Sequence, residues 1–345
     1  MTAAETSERP FTIALVGDVM LGRDVEAALA ERSPESFWGP VLPLLQGADL
    51  AICNLETPVT TSTERWKGYK SFKFKASPHT LEILKAANIG LVGLANNHSG
   101  DYGSRGLLDT FAHLEQAGIR WCGAGRTLTE AQRPAVLERR GLKLAIAGFS
   151  DRMPEYQATE TAPGHAFFWP PKGTGPVADI LAPFQGLDAD LKLMSIHWGA
   201  DLLTRPLPSR RRFAQALLEG GIDLIHGHSS HMTQGVELRR GRPVVYDNGN
   251  AIQDFWVYFW PWTQRSAIFL VELGRETGRL RQIPVLTRGM RLTRPPARLF
   301  RAMQRRFADR SGELGTTVTL TEEGLEMPLG LRLPALRESQ PRLVS

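Results

Sequence analysis

Cysteine and long apolar stretches are scarce in this chain, and each scarcity excludes a class of protein. The 345 residues contain two cysteines, which is too few for a disulfide framework or a cysteine-ligated zinc site. No stretch approaches the roughly 18 apolar residues of a membrane span. The first apolar run, 11–16, is too short for a signal peptide. We therefore expect no membrane span and a cytoplasmic location.

Acidic residues are scarce in one region, which shows where the basic character of the chain lies. The formal net charge is +5. Residues 275–310 contain eleven Arg, no Lys and two acidic residues, so this segment carries +9 and the rest carries −4. Leu299, Phe300, Met303 and Phe307 stand at helical spacing among the arginines, which predicts a basic helix packed on the domain. Because the body is acidic and the arginines match no nucleic-acid-binding motif, we expect no nucleic-acid partner.

Short apolar runs alternate with helical patterns along most of the chain. Hydrophobic residues make up 42%, enough for a buried core. The alternation predicts an α/β fold with helices on the faces of its sheets. We expect one domain over 11–290 and an Arg-rich extension over 291–345. The predicted strands are 11–16, 50–53, 89–94, 142–147, 191–196, 222–225 and 243–246, and the predicted helices are 79–87, 104–116 and 209–219.

Two segments interrupt this alternation. Residues 152–175 are rich in Pro and Gly and predict a long insertion that serves as a lid or a substrate wall. Residues 255–262 contain six aromatic side chains. They are interpreted either as an apolar wall beside a site or as a cover for a sheet edge, and both interpretations stay open.

Polar residues follow six of the predicted strands at the point where each strand ends. These segments are 17–23, 54–56, 95–103, 197–199, 226–231 and 247–250, and they contain five of the eight histidines. In an open α/β sheet, ligands bind beyond the carboxyl ends of the strands. Carboxylate, amide and imidazole groups suit Zn, Mn or Fe, and they also serve as general acids and bases. One such residue is usually a turn or structural residue, but six together predict a functional site.

These segments resemble the CapA family, which is named for bacterial capsule and poly-γ-glutamate biosynthesis proteins. The matching motifs are GDVMLGR (17–23), NLE (54–56), ANNHSGDYG (95–103), HWG (197–199), GHSSHMTQG (227–235) and NGN (248–250). The resemblance implies the calcineurin-like metallophosphoesterase fold, a four-layer αββα sandwich of two mixed sheets with helices outside.

The same resemblance implies roles for individual residues. It places metal ligands at Glu56, Asn97, His197 and His228, with Asp18 as a further candidate. Two departures alter the expected metal chemistry. Met20 stands where the family fold usually has a histidine ligand, and the last histidine pair is lengthened to His228-Ser-Ser-His231. We therefore expect one divalent ion, Zn, Mn or Fe, rather than two, and an enzyme without metal is the alternative.

The remaining candidates are acid–base and substrate-binding residues. The catalytic candidates are Asp18, Asn96, His98 and His231. The substrate-binding candidates are Arg23, Trp198, Asn250 and Trp256. Among them, the Arg23 guanidinium would bind a substrate carboxylate or phosphate as a bidentate fork.

Three functions are consistent with these residues. The first is metal-assisted hydrolysis or transfer on a peptide or polyamide resembling poly-γ-glutamate. The second is metal-independent epimerisation at an α-carbon, as in the lasso-peptide-tailoring branch that the resemblance includes, with Asp and His as the acid and base. The third is a non-enzymatic component of capsule assembly. We expect a peptide or polyamide as the substrate, and the motifs do not indicate an oligomeric state.

Overall fold

The computed structural model describes residues 9–170, 176–254 and 260–333. The described residues form eighteen strands and eight α-helices joined by turns. The strands are β1 (Phe11–Val19), β2 (Leu50–Leu55), β3 (Ile89–Gly93), β4 (Arg120–Cys122), β5 (Ala124–Gly125), β6 (Ala135–Arg139), β7 (Leu142–Ser150), β8 (Gly164–His165), β9 (Leu191–His197), β10 (Leu224–His228), β11 (Val236–Arg239), β12 (Arg242–Val245), β13 (Asn250–Ile252), β14 (Arg265–Leu273), β15 (Gly278–Arg288), β16 (Arg291–Thr293), β17 (Thr319–Leu320) and β18 (Leu325–Leu329). The helices are α1 (Asp24–Leu29), α2 (Leu42–Gln46), α3 (Leu81–Ala86), α4 (Gly103–Gln116), α5 (Leu128–Gln132), α6 (Val177–Leu181), α7 (Pro208–Glu219) and α8 (Ala297–Gly312).

The strands form two large mixed sheets and one short ribbon. The first sheet has the order β17-β18-β15-β14-β1-β2-β3-β4, with β13 paired to β1 and β16 paired to β15. Its strands β1 to β4 are parallel, whereas β14, β15 and β18 are antiparallel. The second sheet has the order β11-β12-β10-β9-β7-β6 and is parallel from β7 to β12. Strands β5 and β8 form the ribbon.

Side chains on each sheet alternate between two separate cores. On β1, Ile13 and Leu15 pack into the core between the sheets, whereas Ala14 packs with the helices outside. On β7, Ile146 joins the core between the sheets, and Ala147 packs outside with α7. This period of two buries both faces of each sheet. The layers therefore run helix, sheet, sheet, helix, which confirms the expected αββα sandwich.

The strands that bear the polar residues differ in length and position from those predicted. β1 continues to Val19 because Asp18 still pairs with both β2 and β13. β10 begins at Leu224 rather than 222, since the backbone N–H of Ile222 donates to Leu217 at the end of α7. Strands β9 and β10 likewise end in histidine. Several of the polar residues predicted to follow strands thus lie inside them, where backbone pairing fixes their direction.

The C-terminal segment is built into the sandwich. β18 pairs with β15, and Met303 and Phe307 of α8 pack in the core between the sheets. The expected basic helix is therefore confirmed as α8. Residues 152–170 of the insertion lie over the outer face of the second sheet, where Phe168 stacks on Phe213. Among the described residues, no helix has the length and apolar character needed to cross a bilayer.

Candidate functional site

The ends of β1, β2 and β9 bring polar side chains from both sheets into contact. Asn54 Nδ2 donates to Asp18 Oδ1 at 2.8 Å within the first sheet. The same nitrogen lies 3.4 Å from Nδ1 of His197, which belongs to the second sheet. All three side chains are buried. Asn54 therefore bridges the carboxyl ends of the two sheets.

His231 forms a buried ion pair with Asp18. His231 Nδ1 lies 3.0 Å from Asp18 Oδ2 and 2.9 Å from Asn250 Oδ1. Burial opposes the charge on His231, but the carboxylates of Glu56 and Asp18 outweigh it and raise the pKa of the imidazole to about 10. Burial also opposes ionisation of Asp18, yet the hydrogen bond and charge of His231 hold its pKa below the ordinary value.

His231 adopts a left-handed backbone conformation, with φ of 58°. This conformation is uncommon for a residue other than glycine and is a form of local strain found at functional sites. Thr233, two residues after His231, is also fixed, because its Oγ1 donates to the carbonyl of Asn248 at 2.7 Å. The lengthened His-Ser-Ser-His segment is thus a tight loop that returns His231 to the end of β1.

His197 and His228 form a second buried pair on neighbouring strands. Their Nδ1 atoms are 3.0 Å apart, and Nε2 of His228 lies 3.0 Å from the hydroxyl of Ser195. Burial, then the charges of neighbouring histidines, lowers the pKa of His197 well below the ordinary value. Burial also lowers the pKa of His228 to about 4. Both imidazoles are therefore neutral near neutral pH, which is the state that binds metal ions.

The cluster fits a divalent cation. Asp18, His197 and His228 offer ligand atoms that lie within 4.8 Å of one another, and so do Asp18, Glu56 and His231. Burial, then the charge of Asp18, raises the pKa of Glu56 well above its usual range. Glu56 Oε1 and Asn97 Oδ1 are buried without a hydrogen-bond partner among the described residues. Unpaired buried oxygens of this kind are costly unless a cation or a donor approaches them.

The grouping differs from the predicted ligand set in one respect. The resemblance placed Glu56, Asn97, His197 and His228 around one ion, whereas Asp18 is common to both carboxylate–imidazole triads. Glu56 Oε1 still lies 3.9 Å from His197 Nε2.

Met20 occupies the position of the missing histidine ligand and packs in a small apolar cluster with Phe74. Its side chain replaces an imidazole by a weak thioether donor. The cluster therefore has one imidazole ligand fewer than the resemblance would imply.

His98 belongs to a separate acid–base group beside this cluster. His98 Nδ1 lies 2.6 Å from Asp101 Oδ2. Asp101 also accepts from Lys70 at 2.6 Å and from the Tyr156 hydroxyl at 3.1 Å. The Phe74 ring stacks on the imidazole with centroids 4.4 Å apart. Asp101 thus fixes the orientation of His98 and leaves its Nε2 available for proton transfer, as the aspartate does in a catalytic triad.

Burial and neighbouring charges shift the pKa values of His98, Asp101 and Lys70. Burial opposes ionisation of Asp101, but His98 and Lys70 outweigh it and hold its pKa below the usual value. Burial lowers the pKa of His98 despite the neighbouring carboxylate. Burial likewise lowers the pKa of Lys70. Lys70 also donates to the backbone carbonyl of Asn97, so it ties the His98 loop to the segment between β2 and α3.

An open cleft lies in front of His98. It has a volume of about 510 Å³ and is lined by Lys70, Phe72, Phe74, Asn97, His98 and Arg152, among others. Trp260 belongs to the same wall. A cleft of this size lies in the usual range for ligand sites. The wall also contains the carboxylates of Asp151 and Asp201, and Arg152 pairs with Asp201 at 3.2 Å. The cations and aromatic rings of this wall suit a flexible chain that carries carboxylates.

Other predicted site residues lie around the cleft or behind it. Asn96 is fully buried, and its amide bonds to Asn54, Leu55 and the backbone of the His98 loop. Trp198 packs in the outer core and donates to the Tyr246 carbonyl at 3.1 Å. Asn96 and Trp198 therefore make structural contacts in this geometry.

Arg23, Asn250 and Trp256 have different settings. Arg23 pairs with Asp254 at 3.2 Å and lies 5.8 Å from the Phe74 ring, on the wall that covers His98. Asn250 contacts His231 directly. Trp256 lies outside the described residues.

Sequence reasoning missed Asn54, Lys70, Asp101 and Tyr156 as members of the site. Asp101 had a signal, since it stands three residues after His98 in the same motif. Asn54 also stood in a quoted motif. Lys70 and Tyr156 come from connecting segments that are distant in sequence from His98 and Asp101. Local sequence patterns do not predict that these side chains approach the site.

The two packed sheets, the outer helices and the carboxylate–imidazole cluster at the strand ends define a four-layer αββα protein with a polar site at its strand ends. A model of the family described as bacterial capsule synthesis protein PGA_cap matches residues 12–255. The chain belongs to this family.

Named relatives agree with this assignment. A probable polyglutamine synthesis accessory protein of Mycobacterium tuberculosis is 32% identical over an alignment of 284 positions, and this alignment covers 71% of this chain and 74% of that protein. Capsule biosynthesis protein CapA of Bacillus anthracis is 28% identical, over 78% of this chain and 65% of its own length. PGA biosynthesis protein CapA of Bacillus subtilis is 27% identical, over 81% and 72%.

Proposed function

We propose that this protein is an enzyme of poly-γ-glutamate or related capsule polymer synthesis, which cleaves or transfers an acidic polyamide chain. The observation that carries the proposal is the position of the His98–Asp101 pair. It lies at the wall of a cleft that also contains two cationic side chains, Lys70 and Arg152. Family membership supports the polymer class, because the Bacillus subtilis relative is named for PGA biosynthesis.

In this proposal, the side chains around the cleft have separate roles in substrate binding and in proton transfer. Arg152 and Arg23 would hold carboxylates of the polymer, and the aromatic wall would receive its methylene groups. His98 Nε2 takes a proton from the attacking water and returns it to the leaving nitrogen. The water oxygen bonds to the carbonyl carbon and the C–N bond breaks, so the products are one carboxylate and one amine.

Asp18, Glu56, His197 and His228, with Asn97, are the residues that would hold a divalent ion. Such an ion supplies Lewis-acid polarisation of the carbonyl and a bound water of lowered pKa. Asn54 holds Asp18 in place through its 2.8 Å hydrogen bond. His231 keeps Asp18 ionised, which preserves its capacity as a ligand.

The test uses synthetic poly-γ-glutamate and the full chain. After chelation and re-addition of Zn²⁺, Mn²⁺ or Fe²⁺, we expect new amino groups and shorter chains with one of these ions. The matched control is Asp18→Asn, which retains shape but loses a charge. An unchanged polymer under all metal conditions, with correctly folded protein, contradicts the proposal.

The second candidate function is metal-independent epimerisation of a peptide residue. Met20 is the observation that favours it, because its packing against Phe74 leaves the usual histidine ligand position without an imidazole. Two acid–base pairs, Asp18–His231 and His98–Asp101, remain to remove and return an α-proton. Incubation with peptide in deuterated water distinguishes the functions. Deuterium at an α-carbon without chain cleavage supports epimerisation, and cleavage without deuterium supports hydrolysis.

A further inference from the structure

The basic helix α8 has two kinds of arginine. Arg301, Arg305 and Arg306 are exposed, and solvent hydrates such guanidinium groups. Arg310 is 7% exposed, although it belongs to the same helix. Met303 and Phe307 lie seven and three residues before Arg310, on the same buried face of α8, and pack in the core between the sheets. The helix therefore holds one charged group at the boundary of the protein interior.

Arg310 is buried without an acidic partner. Its Nη1 donates to the carbonyl oxygen of Thr233 at 2.5 Å. No carboxylate lies within ion-pair distance of its guanidinium in the described part of the chain. Arg205, by contrast, forms a bidentate ion pair with Glu313. Burial lowers the pKa of Arg310 to about 10. A buried cation of this kind is costly unless an anion approaches it.

A hollow of about 230 Å³ lies beside this guanidinium. Arg265 and Arg306 line it together with Arg310. Across the described ranges, neither Arg265 nor Arg306 has an ion pair. The floor is apolar and includes Met303 and Phe307. Three guanidinium groups around a small apolar floor create a positive field. The carboxylate of Glu313 attracts Arg310 from outside the hollow, but it is already paired with Arg205.

The composition of the hollow indicates its ligand. It contains no acidic side chain, so a cation is excluded and an anion is favoured. Its volume is below the roughly 300–1,000 Å³ of drug-sized sites, which fits one carboxylate-bearing residue rather than a large ligand. Guanidinium groups bind carboxylates through paired hydrogen bonds. The apolar floor would contact the methylene groups between the carboxylate and the backbone.

Residues that are neighbours in the sequence line both the hollow and the cleft in front of His98. Trp262 lines the hollow, and Trp260 lines the cleft in front of His98. The two tryptophans are separated only by Pro261. Met232, which follows His231, also lines the hollow. The hollow and the cleft therefore border the same short turn of the chain.

We propose that the hollow of Arg265, Arg306 and Arg310 is a second binding site, which takes a glutamyl carboxylate of the polymer outside the catalytic cleft. This inference rests on the proposed function for the identity of the polymer. The site would hold the chain away from the reacting bond and so favour long acidic polymers over short ones.

Methionine methyl groups distinguish the hollow from the cleft. Met303 lines the hollow, whereas Met153 lines the cleft. The full chain with isotope-labelled methionine methyl groups is titrated with a short γ-linked glutamate oligomer and observed by NMR. We expect a saturable shift of the Met303 signal. A Met303 signal that does not respond at any oligomer concentration overturns the proposal.

Paired variants test whether the binding is specific. Arg265→Gln with Arg306→Gln should weaken the Met303 response about tenfold or more. Arg301→Gln with Arg305→Gln removes the same charge from positions of α8 that do not line the hollow, and it should leave the response unchanged. Equal losses in both double variants mean diffuse attraction of an anion to a basic surface and overturn the proposal.

Two further arms separate this proposal from its alternatives. Asp18→Asn should abolish processing of the polymer but retain the Met303 response, so failure of the proposed function is read separately from failure of this site. Vesicles of phosphatidylglycerol replace the oligomer in the second arm. Vesicle binding that displaces the oligomer and depends on all four arginines overturns the proposal in favour of a membrane-facing surface.

Discussion

His231 Nδ1 lies 3.0 Å from Asp18 Oδ2, and the two side chains come from the two different sheets. Asp18 stands near the end of β1, and His231 follows β10 in a strained loop. The pair joins the two sheets at the point where both present their carboxyl ends. It also keeps a buried carboxylate charged beside Glu56, which burial and Asp18 disfavour as an anion.

Asp18→Asn should remove this charge while retaining the hydrogen bond from Asn54 to the remaining oxygen. We expect activity to fall by about 100-fold or more, because a charged group at the reacting centre is lost. The unfolding transition should stay cooperative, since the substitution conserves volume. Activity assays and thermal melts check both parts. A fully active variant would refute the assignment of the site.

His228→Ala should reduce metal binding, since His228 belongs to a carboxylate–imidazole triad with Asp18 and His197. We expect the metal content of protein equilibrated with Zn²⁺ to fall, measured by elemental analysis after gel filtration. His79→Ala is the control, because His79 is exposed outside the site. Equal metal content in wild type and His228→Ala would count against a metal centre here.

Asp101→Asn tests the positioning of His98. The amide retains the shape of the carboxylate but cannot hold the Nδ1 proton of His98 in the same way, so the wrong tautomer becomes favourable. We expect kcat to fall by about 100-fold or more, with a smaller change in KM. Tyr156→Phe removes only one hydrogen bond to Asp101 and should lose less. A loss confined to KM would instead indicate a role in substrate binding.

Glu237→Gln tests a structural ion-pair network away from the site. Glu237 pairs with Arg211 at 2.8 Å and with Arg239 at 2.7 Å, and it accepts from the Tyr246 hydroxyl at 2.6 Å. Burial opposes its ionisation, but these partners outweigh it and hold its pKa below the ordinary value. The stabilisation is therefore present above the unfolded pKa of about 4.3 and is lost as pH falls through the folded pKa.

We expect Glu237→Gln to lower the free energy of unfolding by about 1–3 kcal/mol near neutral pH. The difference from wild type should shrink in acid, where Glu237 is protonated in both states. Urea unfolding at a series of pH values measures this. Glu138→Gln on exposed β6 is the control and should change stability little. A difference that grows as the pH falls has the wrong sign and would contradict this account.

Much of the fold could be predicted from sequence because its signals are local. Runs such as 11–16 and 142–147 are apolar without interruption, as strands buried on both faces must be. The helix predicted over 104–116 begins at Gly103 and ends at Gln116. The C-terminal boundary of the sandwich was harder to place. β18 joins the first sheet by pairing with a strand that lies far back in the chain, which no local pattern reports.

The candidate site was predicted in part for the same reason. Asp18, His197 and His228 stand at strand ends, and the carboxyl ends of parallel strands must share one edge of a sheet. Asp101 was not named, although its motif contained it. Lys70 was missed because it reaches His98 from an irregular segment, where position depends on packing rather than on periodicity.

By itself, the sequence determined an α/β fold and the edge on which polar residues would gather, because hydrophobic period and strand direction are properties of neighbouring residues. The four-layer sandwich was implied by the resemblance of its motifs to a family. Only the tertiary structure decided which side chains touch. It set His231 against Asp18 and Lys70 against Asp101, and it buried Arg310 of the predicted basic helix beside Thr233. Contacts between distant segments depend on how two sheets and their loops pack in three dimensions, and the local sequence patterns used for prediction do not report that packing.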